Sequence, residues 1–230
     1  MSKRWIIAIL LVLFLAVIAE VMLSKIVSDA VAQGMTGLTG SRQVAAHVEK
    51  SPAFLMLGGR FDRVDIDAQD VKLDKIALAD MHVLMTDVQL DMEALITRRA
   101  LVIQGVRDID LTTVVTQDEL AKYLNSSVKG VKNANVAVSP GKVEVNSQLT
   151  LGGIARVDVK LEGRITGEQD KIKFVAERFW LNNSPVGNIG GALLTEVPLV
   201  DLSKLPFKVT VRDIVTEEGK VVIHTDNRSR

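Results

Sequence analysis

The chain reads as an α+β protein in which a long, curved, mostly antiparallel β-sheet wraps around an N-terminal amphipathic helix, with two short extra helices. Three observations predict this. From Gln43 onward, apolar and charged residues alternate with a period of two, as in "GGRFDRVDIDAQDVKLDKIAL" from Gly58 to Leu78. Residues 20–38 carry a helical repeat instead. Apolar residues make up 47% of the chain and aromatics only 4%, so the core is built from Val, Leu, Ile, Ala and Met.

The chain opens "MSKRWIIAILLVLFLAVIAE", where Lys3 and Arg4 precede an unbroken run of 15 apolar residues, Trp5 to Ala19. A spanning helix needs about 20 apolar residues, and the apolar region of a signal peptide takes about 7–15. Residues 1–19 are therefore a signal peptide or an N-terminal membrane anchor. Val17-Ile18-Ala19 offers a cut before Glu20, whereas Val21-Met22-Leu23 prolongs the apolar stretch. On either reading the two cations hold the N-terminus inside, and residues 20–230 are expected as a single extracytoplasmic domain.

In "EVMLSKIVSDAVAQGMTGL" the residues Leu23, Ile26, Val27, Ala30, Val31, Met35 and Leu38 share one helical face. Glu20, Ser24, Lys25, Ser28, Asp29 and Gln33 lie opposite. This helix caps the core of the domain, or its apolar face also closes a ligand cavity. Gly34, Gly37 and Gly40 are expected to end it.

Strands follow. Val44, Ala46 and Val48 alternate with Gln43, His47 and Glu49 until Ser51-Pro52. Val64, Ile66 and Ala68 alternate with Arg63, Asp65 and Asp67, and Val71 and Leu73 continue the apolar side. In "MHVLMTDVQLDM" the apolar set changes from Met81, Val83 and Met85 to Val88, Leu90 and Met92. That change of parity at Thr86-Asp87 predicts a bulge or a bend. Alternation resumes at Ile109 and Leu111, at Val136 and Val138, across the turn "SPGK" to Val143 and Val145, and at Val157, Val159 and Leu161. A last hairpin, "TEEGKVVIHT", turns at Glu218-Gly219. Two helices interrupt: "TQDELAKYLNSSV", with the capping box Thr116 and Glu119, and "SPVGNIGGALLTEV", with Ser184 as N-cap and Pro185 in the first turn.

The composition excludes several kinds of chemistry. With no cysteine there are no disulfides, thiolate metal sites or cysteine nucleophiles. Basic and acidic residues balance at 28 each, and without Lys3 and Arg4 they stand at 26 against 28, so a nucleic-acid partner is disfavoured. His47, His82 and His224 sit singly on strands, without metal-ligand spacing, and read as solvated residues. No phosphate loop, G-x-S-x-G or H-E-x-x-H occurs. The pairs Asp65/Asp67 and Asp108/Asp110 each share a strand face, and a wet face explains them better than acid–base work or calcium. A large aliphatic surface without a reactive constellation suits a binder of apolar molecules.

Several stretches together resemble a known family: "SPAFLMLGGRFDRVDIDA", "MHVLMTDVQLDMEAL", "VVTQDELAKYL", "NNSPVGNIGGALLTEVPLVDL" and "LPFKVTVRDI". They are similar to the LmeA-like phospholipid-binding proteins, over roughly Glu20 to Thr225. Leu55, Gly58, Gly59 and Arg60, and the helix with Thr116, Glu119, Leu120 and Leu124, carry the resemblance best. It implies an envelope protein that binds phospholipid, with a fold similar to the tubular lipid-binding (TULIP) superfamily. It supplies no catalytic signature.

The resulting expectation is a non-enzymatic, extracytoplasmic phospholipid binder, without cofactor or metal, that carries or senses lipid. Acyl chains would lie between Ile26, Val27, Val31 and Met35 on the helix and Met81, Val83, Met85, Val88 and Leu90 on the sheet, where methionine adapts to varied chains. The alternative is a membrane-anchored scaffold that binds another envelope protein. A weak hydrolase using the aspartate pairs is the third reading.

Overall fold

The apolar run and the amphipathic repeat form one continuous helix, α1 (Lys3–Thr39), about 55 Å long at 1.5 Å per residue. A computed structural model describes residues 3–73, 75–151, 155–186, 196–205 and 207–228. The chain divides into two units, residues 1–67 with 83–109 and residues 68–82 with 110–230. Among the described residues the strands form two antiparallel sheets, where the sequence predicts one.

In the first unit, Val27, Val31 and Met35 form the buried face of α1. The helix packs on β1 (Gln43–Glu49), where the Ser28 hydroxyl accepts the Val48 N–H at 3.1 Å. Of the three glycines expected to end the helix, only Gly40 does so. It lies at φ 64°, and its N–H donates to the Thr36 carbonyl at 2.9 Å. Gly34 lies buried inside α1, where an added Cβ would stand 3.1 Å from the Leu101 nitrogen and 3.4 Å from Leu95 Cδ1. It marks a close approach to the segment at Leu101, and Gly37 is an ordinary helical residue.

A 3₁₀ turn (Ala53–Gly58) follows β1, seated by buried Ala53 and Met56. Gly59, at φ 75°, turns the chain into β2 (Arg60–Leu73). β2 buries Phe61, Val64 and Ile66 in this unit, and β3 (Ile76–Leu90) buries Val83, Met85, Val88 and Leu90. The predicted change of parity is present: Asp87 takes φ 46° between the two buried sets. The short helix α2 (Met92–Arg98) was not predicted; the Asp91 carboxylate caps it by accepting the Ala94 N–H at 2.9 Å. β4 (Ile103–Gly105) pairs with the end of β3.

The strands β2, β3 and β5 (Asp108–Thr116) pass from one unit into the other. In the second unit β5 pairs with β13 (Lys220–Asp226), which pairs with β12 (Thr210–Glu217). The other sheet comprises β6 (Val131–Ser139), β7 (Lys142–Leu151), β8 (Ala155–Glu168), β9 (Lys171–Leu181) and β10 (Ser184–Pro185) in sequential order. β11 (Glu196–Asp201) lies against β9. Gly141 and Gly219, at φ 75° and 74°, make the two predicted hairpin turns. The Thr116 hydroxyl accepts the Glu119 N–H at 3.3 Å and starts α3 (Gln117–Ser127), as the capping box requires. The expected helix at Ser184-Pro185 is absent there, because both residues pair as strand with Leu181 and Trp180; residues 187–195 of that stretch lie outside the described residues.

The wet face of β7, β8 and β9 carries a charge ladder. Glu144 stands directly across from Glu162, a repulsive pairing on its own. Lys142 and Lys160 bridge both carboxylates, Arg178 adds a contact to Glu162 at 3.3 Å, and Lys160 also lies 5.3 Å from the Trp180 ring centroid. Hydrogen bonds from Lys142 and then Lys160 hold the Glu144 carboxyl below its ordinary value of 4.5. At Glu162 burial pushes upward, but the same two lysines outweigh it and the net shift is downward. A carboxyl depressed in the folded state contributes stability above its unfolded value and loses it as pH falls through the folded one. The urea midpoint should therefore drop between pH 6 and pH 3, and Glu144→Gln should flatten that drop. An equal pH dependence in the variant would contradict this role for the ladder.

Candidate functional site

α3 is clamped onto the second sheet by its own polar side chains. The Asn125 side chain donates to the Ala134 carbonyl at 3.1 Å and accepts the Ala134 N–H at 2.8 Å, pairing with β6 as a strand would. The Tyr123 hydroxyl donates to the Pro198 carbonyl of β11 at 2.6 Å. Thus fixed, the helix turns Leu120 and Leu124 inward.

An apolar cavity lies beneath it. Leu124 and Val128 cover it, and Val145, Leu149, Val159, Leu161 and Val197 form most of its wall. Val145 and Leu149 on β7, with Ser147 between them, and Val159 and Leu161 on β8 are alternate strand positions, so the strand period itself brings them to one face, and β11 adds Val197. The space is about 20 Å³, hardly more than one water requires. An open groove of about 250 Å³, lined by Asn133, Asn135, Asn146, Gln148, Asp158 and Lys160 among others, lies on the opposite, wet face of the same strands. Ser147 and Val159 line both spaces. Asn133 donates to the Gln148 carbonyl oxygen at 3.0 Å and Gln148 to Asp158 at 3.3 Å. An apolar cavity lined by aliphatic side chains with Ser147 as its one polar residue matches hydrocarbon.

The residues named from the sequence fall elsewhere. Val27, Val31, Met35, Val83, Met85, Val88 and Leu90 are buried in the first unit at 4% exposure or less, packed shut, and Met81 is equally buried in the second. Ile26 differs: it is 61% exposed, because the neighbours of α1 cover only the stripe through Val27 and Val31. The cavity under α3 was not foreseen. Its signal was the pairing of a capped helix ending in Leu124 and Val128 with the aliphatic alternation of β7 and β8.

The other candidate groups have structural partners. Asp108 accepts from Thr86 and Arg107, each at 3.1 Å, and Asp110 pairs with Arg228 at 3.0 Å. His47 pairs with Glu49 at 3.3 Å, and His224 Nδ1 lies 3.1 Å from the Thr112 hydroxyl. Arg63 pairs with Asp65 at 3.2 Å, and His82 does not stand alone as the sequence suggests: β3 brings it beside Asp65 and Asp67 of β2, with one ligand atom of each within 4.8 Å of the others.

Comparison with known proteins agrees with the binding of lipid. A family model described as LmeA-like phospholipid-binding matches residues 18–226. No curated protein and no solved structure matches the chain.

Proposed function

Since the chain belongs to the LmeA-like phospholipid-binding family, a lipid-binding rather than an enzyme family, we propose that it holds a phospholipid by its acyl chains between α3 and the second sheet, on the outer side of a membrane. The observation that carries this is the apolar cavity under α3, walled by aliphatic side chains with Ser147 as its one polar residue. Ligand pockets usually enclose about 300–1,000 Å³, so the cavity opens on loading. Its lining of Val and Leu presents no buried polar group that opening would strip of a partner, apart from Ser147. The tightly packed face of α1 serves as framework in this account. Residues 1–19 act as a signal peptide or an anchor, with Lys3 and Arg4 on the inner side. Among the described residues no helix is long and apolar enough to cross a membrane; the uninterrupted run from Trp5 to Ala19 is 15 residues.

The packed core of the first unit favours a second reading, an envelope scaffold that carries no lipid. Filling the cavity separates the two. Val131 and Leu149 are half-buried at its edge, so Val131→Trp and Leu149→Trp place an indole in the opening without adding charge. The expected result is loss of most co-purifying phospholipid with an unchanged circular dichroism spectrum. An undiminished lipid load in both folded variants would overturn the placement under α3.

A further inference from the structure

The 3₁₀ turn Ala53–Gly58 is built inside out. Its two small or flexible residues, Ala53 and Met56, are 2% and 0% exposed, whereas Phe54, Leu55 and Leu57 are 64%, 42% and 60% exposed. Single exposed apolar residues are common; three large ones in one short, firmly seated turn mark a surface made for contact. The turn is tied to a definite level of α1. The Ala53 N–H donates to Glu20 Oε1 at 3.3 Å, and Glu20 is the first charged residue after the apolar run Trp5 to Ala19. Around that level α1 itself exposes Ile18, Val21 and Met22. Lys25 on α1 and Arg60 just after the turn are exposed cations, which suit anionic head groups.

We propose that this turn is a docking tip that inserts Phe54, Leu55 and Leu57 into the interfacial layer of a phospholipid bilayer, beside the point where α1 leaves it. The inference rests on the reading that residues 5–19 lie in a membrane. The hydrogen bond at Glu20 then sets the turn at the depth where apolar side chains and head groups meet. Such a tip would hold the protein against the surface from which its lipid comes.

The cysteine-free sequence makes the test direct. Phe54→Cys and Leu57→Cys, both at exposed positions, would be labelled in the full chain with an environment-sensitive fluorophore. Phe14→Cys reports on the apolar run and Asn135→Cys on the second unit. The proteins are reconstituted into vesicles of phosphatidylcholine and phosphatidylglycerol carrying nitroxide quenchers. The expected result is blue-shifted, quenched emission at 54 and 57 from head-group-level nitroxides, at 14 from deep ones, and water-like emission at 135. Water-like emission at 54 and 57 with 14 embedded would overturn the docking tip and leave the membrane reading standing. Water-like emission at 14 as well would remove both. A blue shift at 54 and 57 that grows with protein concentration without vesicles would assign the surface to a second copy of the chain and so overturn the proposal.

Discussion

Gly163→Ala is expected to destabilise the second sheet severely, by about 3 kcal/mol or more. Gly163 sits where the register of β8 against β9 shifts at Glu162/Gly163. A Cβ there would stand 2.0 Å from the Val175 carbonyl oxygen and 2.9 Å from the Ala176 Cα, both backbone atoms. No side-chain rotation relieves such an overlap, so the strands must part. They also carry the charge ladder and the wall under α3, and parting them costs more than the local contact. A urea midpoint equal to the parent's would show that the close approach is not present in the folded protein. Gly58→Ala is the matched control, because nothing lies within 4 Å of its added Cβ, and it should be neutral within about 0.5 kcal/mol.

Gly59→Ala is expected to cost about 2–4 kcal/mol, for two reasons that add. The residue adopts φ 75°, where alanine is strained, and its added Cβ would lie 2.3 Å from the Leu90 carbonyl oxygen. That approach is fixed from the other side by the Leu90 N–H, which donates to the Gly59 carbonyl at 2.8 Å. Because Gly59 joins the 3₁₀ turn to β2, the loss would fall on the seat of Phe54 and Leu57 as well. Thermal unfolding of the variant measures this. A melting temperature within a degree of the parent would contradict the assigned geometry.

What the sequence shows clearly is whatever depends on period and on local chemistry. The alternation of Val64 to Ala68 and of Val143 to Val145 becomes strand with the expected side buried, and that of Val44 to Val48 becomes strand with Val48 buried and Val44 and Ala46 half-buried. The switch at Thr86-Asp87 was visible because a strand cannot change its buried parity without an extra residue, and Asp87 supplies it. The Thr116 cap and the Gly219 turn follow from residues within three positions of one another.

What escapes is whatever a distant partner decides. Gly34 reads as a terminator until Leu101 is seen against it; then it marks a tight contact, where an added Cβ would press on the Leu101 nitrogen at 3.1 Å. Ser184-Pro185 has the chemistry of a helix start, yet Leu181 and Trp180 offer a strand edge and win. α2 has seven residues, too few for a helical repeat to show, so only the Asp91 cap announced it. The cavity was hidden for the same reason. Leu124, Val145, Val159 and Val197 come from four elements spread over the second half of the chain, while the longest apolar face, on α1, drew the site residues to itself. Ile26 shows the limit of that face: the repeat gives a broad stripe, but the packing neighbours of α1 cover only part of it.

The most direct test of the central claim is native mass spectrometry, with lipid extraction, on the full chain purified from a bacterial host in mild detergent. The account predicts one phospholipid per chain, retained through purification and lost in Val131→Trp and Leu149→Trp. A folded protein that carries no phospholipid and takes up none when it is added would contradict it, and would assign the chain to the scaffold reading.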